Sequence, residues 1–217
     1  MLCTVVGSAK FSNYRDFLDV CRKSDLIIAA DGGAIHLKNT GIDPNFLVGD
    51  MDSIDISYIP NCNTKIIKLP EEKDFTDLFC AVKKGIELNA NNFKIFGALG
   101  ERLDHSYANL CVAKYLSENN IEHELITDDF KIFVIKQGNN KVIENMKGNL
   151  VSIFPFGVEQ CKITCSGLKY KLRSDYLYSN FPKGISNVIE DEVCNIEVLE
   201  GYALIFLSMP FQKQKYN

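Results

Sequence analysis

No stretch of this sequence reaches the ~20 consecutive apolar residues of a membrane-spanning helix, so no membrane partner is expected. The apolar start, Met1-Leu2-Cys3-Thr4-Val5-Val6-Gly7, has no basic lead. It reads as a first strand rather than a signal peptide. Eight cysteines are present, but no CxxC pair occurs. Cys3, Cys80, Cys111 and Cys194 sit inside apolar patterns, where cysteine behaves as a small buried hydrophobe. Reduced thiols and a cytoplasmic location are the resulting expectation. Cys161 and Cys165 could share one strand face, but the scatter of the rest gives no disulfide or metal framework. Excess positive charge is also missing. The formal net charge is −4, which argues against a nucleic-acid partner. HExxH, GxSxG and Walker A patterns are all absent, and no Ser-His-Asp set is defensible from spacing. His36 and His123 carry no partner pattern and read as surface residues, and His105 reads as structural.

What the sequence has instead is acid at the ends of strands. Leu26–Ala30 runs into Asp31-Gly32-Gly33, and Phe46-Leu47-Val48 into Gly49-Asp50-Met51-Asp52-Ser53. Ile66–Leu69 leads to Glu71-Glu72-Lys73-Asp74-Phe75-Thr76-Asp77, and Phe93–Phe96 to Gly97–His105. Glu124–Thr127 ends at Asp128-Asp129. Open parallel sheets bind ligands beyond the carboxyl ends of their strands, so these groups should gather on one rim. Two carboxylates ~4 Å apart repel by ~4 kcal/mol at an effective dielectric of ~20. Bound Mg²⁺ carrying a polyphosphate is the economical way to neutralise such a rim.

Residues 1–128 alternate strand and helix, with helices predicted at Tyr14–Lys23, Asp74–Leu88 and Leu103–Asn119. Leu78, Ala81, Val82 and Ile86 mark the inward face of the second, and Ala108, Cys111, Val112 and Tyr115 that of the third. This is the pattern of a mostly parallel sheet flanked by helices. Residues 129–217 follow a different pattern. Short β-branched and aromatic runs at Lys131–Ile135, Leu150–Phe154, Cys161–Cys165, Asn195–Leu199 and Ala203–Leu207 are divided by turn residues. They predict a second domain, an antiparallel β-sandwich or barrel.

Each motif has a structural reading beside its chemical one. Asp50 and Asp52, one residue apart at a strand end, could converge on a cation, or Asp52 could cap a helix. Asp74 and Asp77 resemble a capping pair. The same helix start could offer N–H groups to phosphate, with Lys73 on phosphate and Asp77 on metal. Arg102 and Asp104 suit one phosphate and one metal contact, or a salt bridge to each other. Asp31-Gly32-Gly33 permits close backbone approach to a ligand, or a plain turn.

Taken together, Ala30-Asp31-Gly32-Gly33-Ala34, Gly49-Asp50-Met51-Asp52-Ser53, Lys73-Asp74-Phe75-Thr76-Asp77 and Gly97–His105 stand in the order and spacing of thiamine pyrophosphokinases, which they resemble. Gly167-Leu168-Lys169-Tyr170 with Leu172, then Gly184-Ile185-Ser186-Asn187, extend the resemblance over essentially the whole chain. It implies diphosphoryl transfer from ATP to thiamine with Mg²⁺, giving AMP and thiamine diphosphate. It also implies a homodimer with active sites between subunits. Asp31, Gly32, Gly33, Lys73, Thr76 and Arg102 fall on nucleotide positions. Asp50, Asp52 and Asp77 fall on metal positions, with Arg102 and Asp104 completing the catalytic set. Ser186 and Asn187 fall on the thiamine-contacting turn. Two departures stand out: Ile35-His36 replaces the usual Asn-Arg, and the chain has no Trp to stack on the thiamine ring. Two alternatives stay open. One is a pyrophosphokinase for another hydroxymethyl heterocycle, such as a pterin alcohol. The other is a receiver-like signalling module with an acidic Mg²⁺ pocket.

Overall fold

The computed structural model describes residues 1–51, 63–70, 72 and 74–209. The chain divides into two compact units, Met1–Asp128 and Asp129–Asn217.

In the first unit the apolar runs become strands β1 (Leu2–Val6), β2 (Leu26–Ala30), β3 (Phe46–Gly49), β4 (Lys65–Lys68), β5 (Asn92–Phe96) and β6 (Glu122–Ile126). They pair in parallel in the order β6-β5-β1-β2-β3-β4. Both β1 and β2 are buried along nearly their whole length, because helices cover both sheet faces. Helices α1 (Tyr14–Lys23) and α2 (Gly33–Thr40) pack Phe17, Cys21, Ala34 and Leu37 against Val6, Ala29 and Phe96. Helix α3 (Asp77–Glu87) takes the opposite face, where Gly85 lies against Phe93 and Cys3. Helix α4 (Leu103–Glu118) lies beside α3 and β6.

Three local expectations change. Helix α3 starts at Asp77 rather than Asp74. Thr76 holds an extended backbone and its hydroxyl accepts from the Phe79 N–H at 3.2 Å, the bond that defines a good N-cap. The buried face of α4 is Asn109, Val112, Ala113, Leu116 and Ser117, whereas Cys111 is exposed and Cys80 only half-buried. Helix α2 was hidden from periodicity because its short run, Gly33–Thr40, mixes polar and apolar residues without a clear stripe.

The second unit contains no helix among its described residues. Its strands are β7 (Phe130–Lys136), β8 (Asn140–Glu144), β9 (Leu150–Pro155), β10 (Gln160–Ser166), β11 (Asp175–Tyr178), β12 (Asn187–Val188), β13 (Val193–Glu200) and β14 (Tyr202–Ser208). They form two antiparallel layers, β12-β9-β14-β7 and β11-β10-β13-β8. Alternate residues such as Cys161, Ile163 and Cys165 on β10 face Val151, Ile153 and Ile205 in one shared core. This is the expected sandwich, with period-2 burial on β10 and β13 and continuous buried runs on β7 and β14.

Candidate active site

The chain leaves β1 towards β2 but leaves β5 towards β6, on the other side. The boundary between β1 and β5 is therefore the switch point of the sheet, where loops diverge and a crevice opens. The two loops are bonded together at their base. The Gly7 N–H donates to the Phe96 carbonyl at 2.8 Å and the Ala9 N–H to the Gly97 carbonyl at 3.0 Å. Gly97 sits at φ 62°, and a Cβ there would lie 2.2 Å from the Gly7 carbonyl oxygen. Above them is a cleft of about 1060 Å³. Its wall takes Gly7 to Lys10 from the β1 loop, Asp31 from the end of β2, and Asp74 to Leu78 from the start of α3. Gly97, Ala98, Gly100, Glu101 and Arg102 come from the β5 loop, and His105, Ser106 and Asn109 from α4.

Asp31 and Asp77 thus reach one cleft from different elements. Asp31 has φ 44°, and its N–H donates to the Val48 carbonyl at 2.8 Å. That bond sets it beside the end of β3, where Asp50 follows Gly49. Asp77 occupies the first turn of α3, where the helix dipole favours its charge. Thr76 lines the cleft but spends its hydroxyl as a cap. Gly32 and Gly33 open α2 and are not part of the cleft wall. Arg102 and Asp104 grip each other at 2.6 Å (Nη2 to Oδ2) and 3.3 Å (Nε to Oδ1). The guanidinium first, and then the His105 N–H, hold the Asp104 carboxyl down at about 2. Both side chains are solvent-exposed, so Arg102 can exchange its partner for a phosphate at little cost. Asp52 and Lys73 lie outside the described residues.

Not every acidic strand end lines the cleft. The Asp128 carboxylate instead accepts from the Ser12 N–H, the Ser12 hydroxyl and the Asn13 N–H, at 2.7–2.9 Å. It ties down the segment that starts α1. Among the described residues no three His, Cys, Asp or Glu side chains converge as a ready-made metal site. Mg²⁺ is usually held by one or two carboxylates with phosphates and water. Hard oxygen donors from Asp31 and Asp77 in one cleft fit that requirement.

Several cleft residues escaped the sequence reading. The Ser106 hydroxyl oxygen accepts from the Gly100 N–H at 3.0 Å, and Asn109 Nδ2 donates to the Ala98 carbonyl at 2.7 Å. Helix α4 thereby holds the β5 loop from behind. Lys10 was missed because β1 is the strand whose end carries no acid; only the sheet order marks that end as the switch point. His36 and His123 are corrected from surface to core, being 8% and 6% exposed. The Ala9 carbonyl can only accept, so His36 Nε2–H donates to it at 3.1 Å. In the neutral ring Nδ1 then accepts from the Tyr14 hydroxyl at 2.8 Å. The ring stacks on Phe11, and burial lowers its pKa. His123 Nδ1 meets the Ile121 carbonyl at 2.9 Å.

In the second unit Ser186 is exposed at φ 56°, its N–H donating to Ser152 Oγ at 3.0 Å. Asn187 is buried, and its Oδ1 accepts from the Tyr170 and Val188 N–H groups at 2.9 Å. Its Nδ2 donates to the Tyr170 carbonyl at 2.7 Å. Asn187 therefore fastens the Gly167–Tyr170 segment to this turn.

A parallel α/β sheet with an acidic, loop-lined cleft at its switch point, followed by an antiparallel sandwich, defines a two-part α/β-plus-β protein. Residues 17–125 match the family model "Thiamin pyrophosphokinase, catalytic domain". Residues 136–203 match "Thiamin pyrophosphokinase, vitamin B1 binding domain". The chain belongs to the thiamin pyrophosphokinase family. It is 28% identical over 165 residues to the thiamine pyrophosphokinase of Bacillus subtilis (strain 168), covering 75% of this chain and 77% of the relative. It is 27% identical over 184 residues to thiamine pyrophosphokinase 1 of Oryza sativa subsp. japonica, covering 79% and 68%. The crystal structure of the Bacillus subtilis thiamine pyrophosphokinase aligns with a TM-score of 0.82 at 24% identity, covering 97% of this chain and 100% of that one. The fold is shared.

Proposed function

We propose that this protein transfers a diphosphoryl group from ATP to the hydroxyl of thiamine, releasing AMP. The observation that carries the reading is the meeting of Asp31, Asp77 and Arg102 in one cleft, inside the segment that matches the catalytic-domain model. The thiamine hydroxyl oxygen bonds to the β-phosphorus as the bond from that phosphorus to the oxygen bridging to AMP breaks. A carboxylate of the cleft takes the hydroxyl proton. Such transfer depends on positioning and charge neutralisation more than on covalent help. Arg102 leaves Asp104 to meet phosphate oxygens, and Lys73 adds a second cation. Asp31 brings its carboxylate close to the nucleotide, and the nucleotide contacts expected of Gly32 and Gly33 reduce to turning the chain from Asp31 into α2. Asp50, Asp52 and Asp77 would hold Mg²⁺, which when bound neutralises polyphosphate charge.

Residues 1–128 form the nucleotide and metal domain in this reading, and residues 129–217 bind thiamine and support a homodimer. Ser186 offers its exposed hydroxyl to the heterocycle, and Asn187 acts by fixing Tyr170. The enzyme works in the cytoplasm, without nucleic acid or membrane. Product analysis with ATP, Mg²⁺ and thiamine tests the reaction: AMP and thiamine diphosphate are expected, and ADP overturns it. A panel including pterin alcohols tests the substrate. Sedimentation of the full chain tests the dimer.

A further inference from the structure

Lys10 stands in the loop after β1, on one side of the switch point, and Glu101 in the β5 loop on the other. The Lys10 ammonium lies 3.8 Å from Glu101 Oε1, with the two side chains 90% and 91% exposed. An ion pair this wet contributes little and parts easily. The backbone beneath Lys10 is the opposite. The Ala9 N–H is bonded to the Gly97 carbonyl, and the Ala9 carbonyl accepts from His36. A flexible cation is thus mounted on a fixed base at the cleft mouth. Among the described residues that line the cleft, its companion cation is Arg102, which is gripped by Asp104 through two bonds. A polyphosphate entering a wall that already carries Asp31, Asp74 and Asp77 needs cations that can be released to it.

We propose that Lys10 is a further phosphate-binding residue of this cleft, kept by Glu101 until a nucleoside polyphosphate displaces the carboxylate. The proposal rests on the nucleotide-binding reading above. Calorimetric titration of the full chain with ATP and with adenosine, Mg²⁺ present, tests it. Lys10→Ala should weaken ATP about tenfold, within the range of one charge-assisted hydrogen bond, and leave adenosine unchanged. Lys10→Arg should restore most of the loss. Glu101→Gln should tighten ATP by about two- to fivefold, the scale of an exposed ion pair. That gain should vanish in the Lys10→Ala background. Equal losses for ATP and adenosine would make Lys10 structural and overturn the proposal. So would a Glu101→Gln gain that survives without Lys10, since that is general charge relief. AMP formation with thiamine is scored separately. Its absence beside an intact Lys10 pattern rejects the reaction and keeps the site, and its presence with ATP affinity indifferent to Lys10 does the reverse.

Discussion

Asp31 and Asp77 are held by different elements, so replacing either removes charge from the cleft without dismantling it. Asp31→Asn or Asp77→Asn should cut turnover by about 10²–10³, the scale of losing one preorganised electrostatic contact. The melting temperature should change little, because relief of like-charge crowding offsets the lost local bonds. An AMP-release assay beside a thermal melt checks both halves, and near-normal turnover at saturating Mg²⁺ would remove the residue from the machinery. His36 makes a prediction about pH. Burial lowers its pKa below 6.5, so the folded protein keeps the ring neutral where the unfolded chain would protonate it. Stability is complete above pH ~6.5 and falls as pH drops towards the folded value, because the unfolded state binds more protons. Urea midpoints at pH 7.5 and 5.5 should differ more in the wild type than in His36→Gln. The acids of the cleft were legible because carboxylates at strand ends are conspicuous in a linear pattern. His36 was not, because its partners are a hydroxyl and a carbonyl that only the fold brings to it.

At the scale of elements, strand positions were readable because both-face burial demands continuous apolar runs such as Leu26–Ala30. Helix ends were less so. Asp74 and Thr76 are both capping residues by type, and the choice between them depends on which backbone turns extended, a tertiary outcome. Removing the cap that was chosen, Thr76→Ala, should cost about 1 kcal/mol in a denaturant titration. The loop crossing at Gly97 should be far less tolerant. A side chain there adds the left-handed backbone penalty, about 1–2 kcal/mol, to overpacking of about 1–3 kcal/mol against the Gly7 carbonyl. Gly97→Ala should therefore destabilise by about 2–5 kcal/mol. A loss below that of Thr76→Ala would mean the two loops can slide apart, and the fixed base assigned to Lys10 would go with them.

For the whole molecule, the sequence conveys the fold class through a change of period, from strand–helix alternation to short strands split by glycine-bearing turns. The strands β8, β11 and β12 escaped because each buries a single residue, which leaves no alternation to be seen. The cysteines provide a test of how each part holds together. Cys3 and Cys21 are buried in the first unit, and Cys161, Cys165 and Cys194 in the second. Burial pushes the first four thiols up to about 12 and Cys194 to about 11, so the reactive thiolate is scarce at neutral pH and also out of reach. Cys111, which is exposed, should react promptly with a thiol reagent in the native protein. Full denaturation without reductant should release all eight thiols, and a shortfall would reveal a disulfide. Between those limits the buried thiols report opening of the unit that holds them. Mass spectrometry after brief labelling in mild denaturant should find Cys3 and Cys21 modified together, and Cys161, Cys165 and Cys194 modified together. One member labelled well ahead of its set would show that its core opens locally, and that the sandwich or the sheet does not act as a cooperative body.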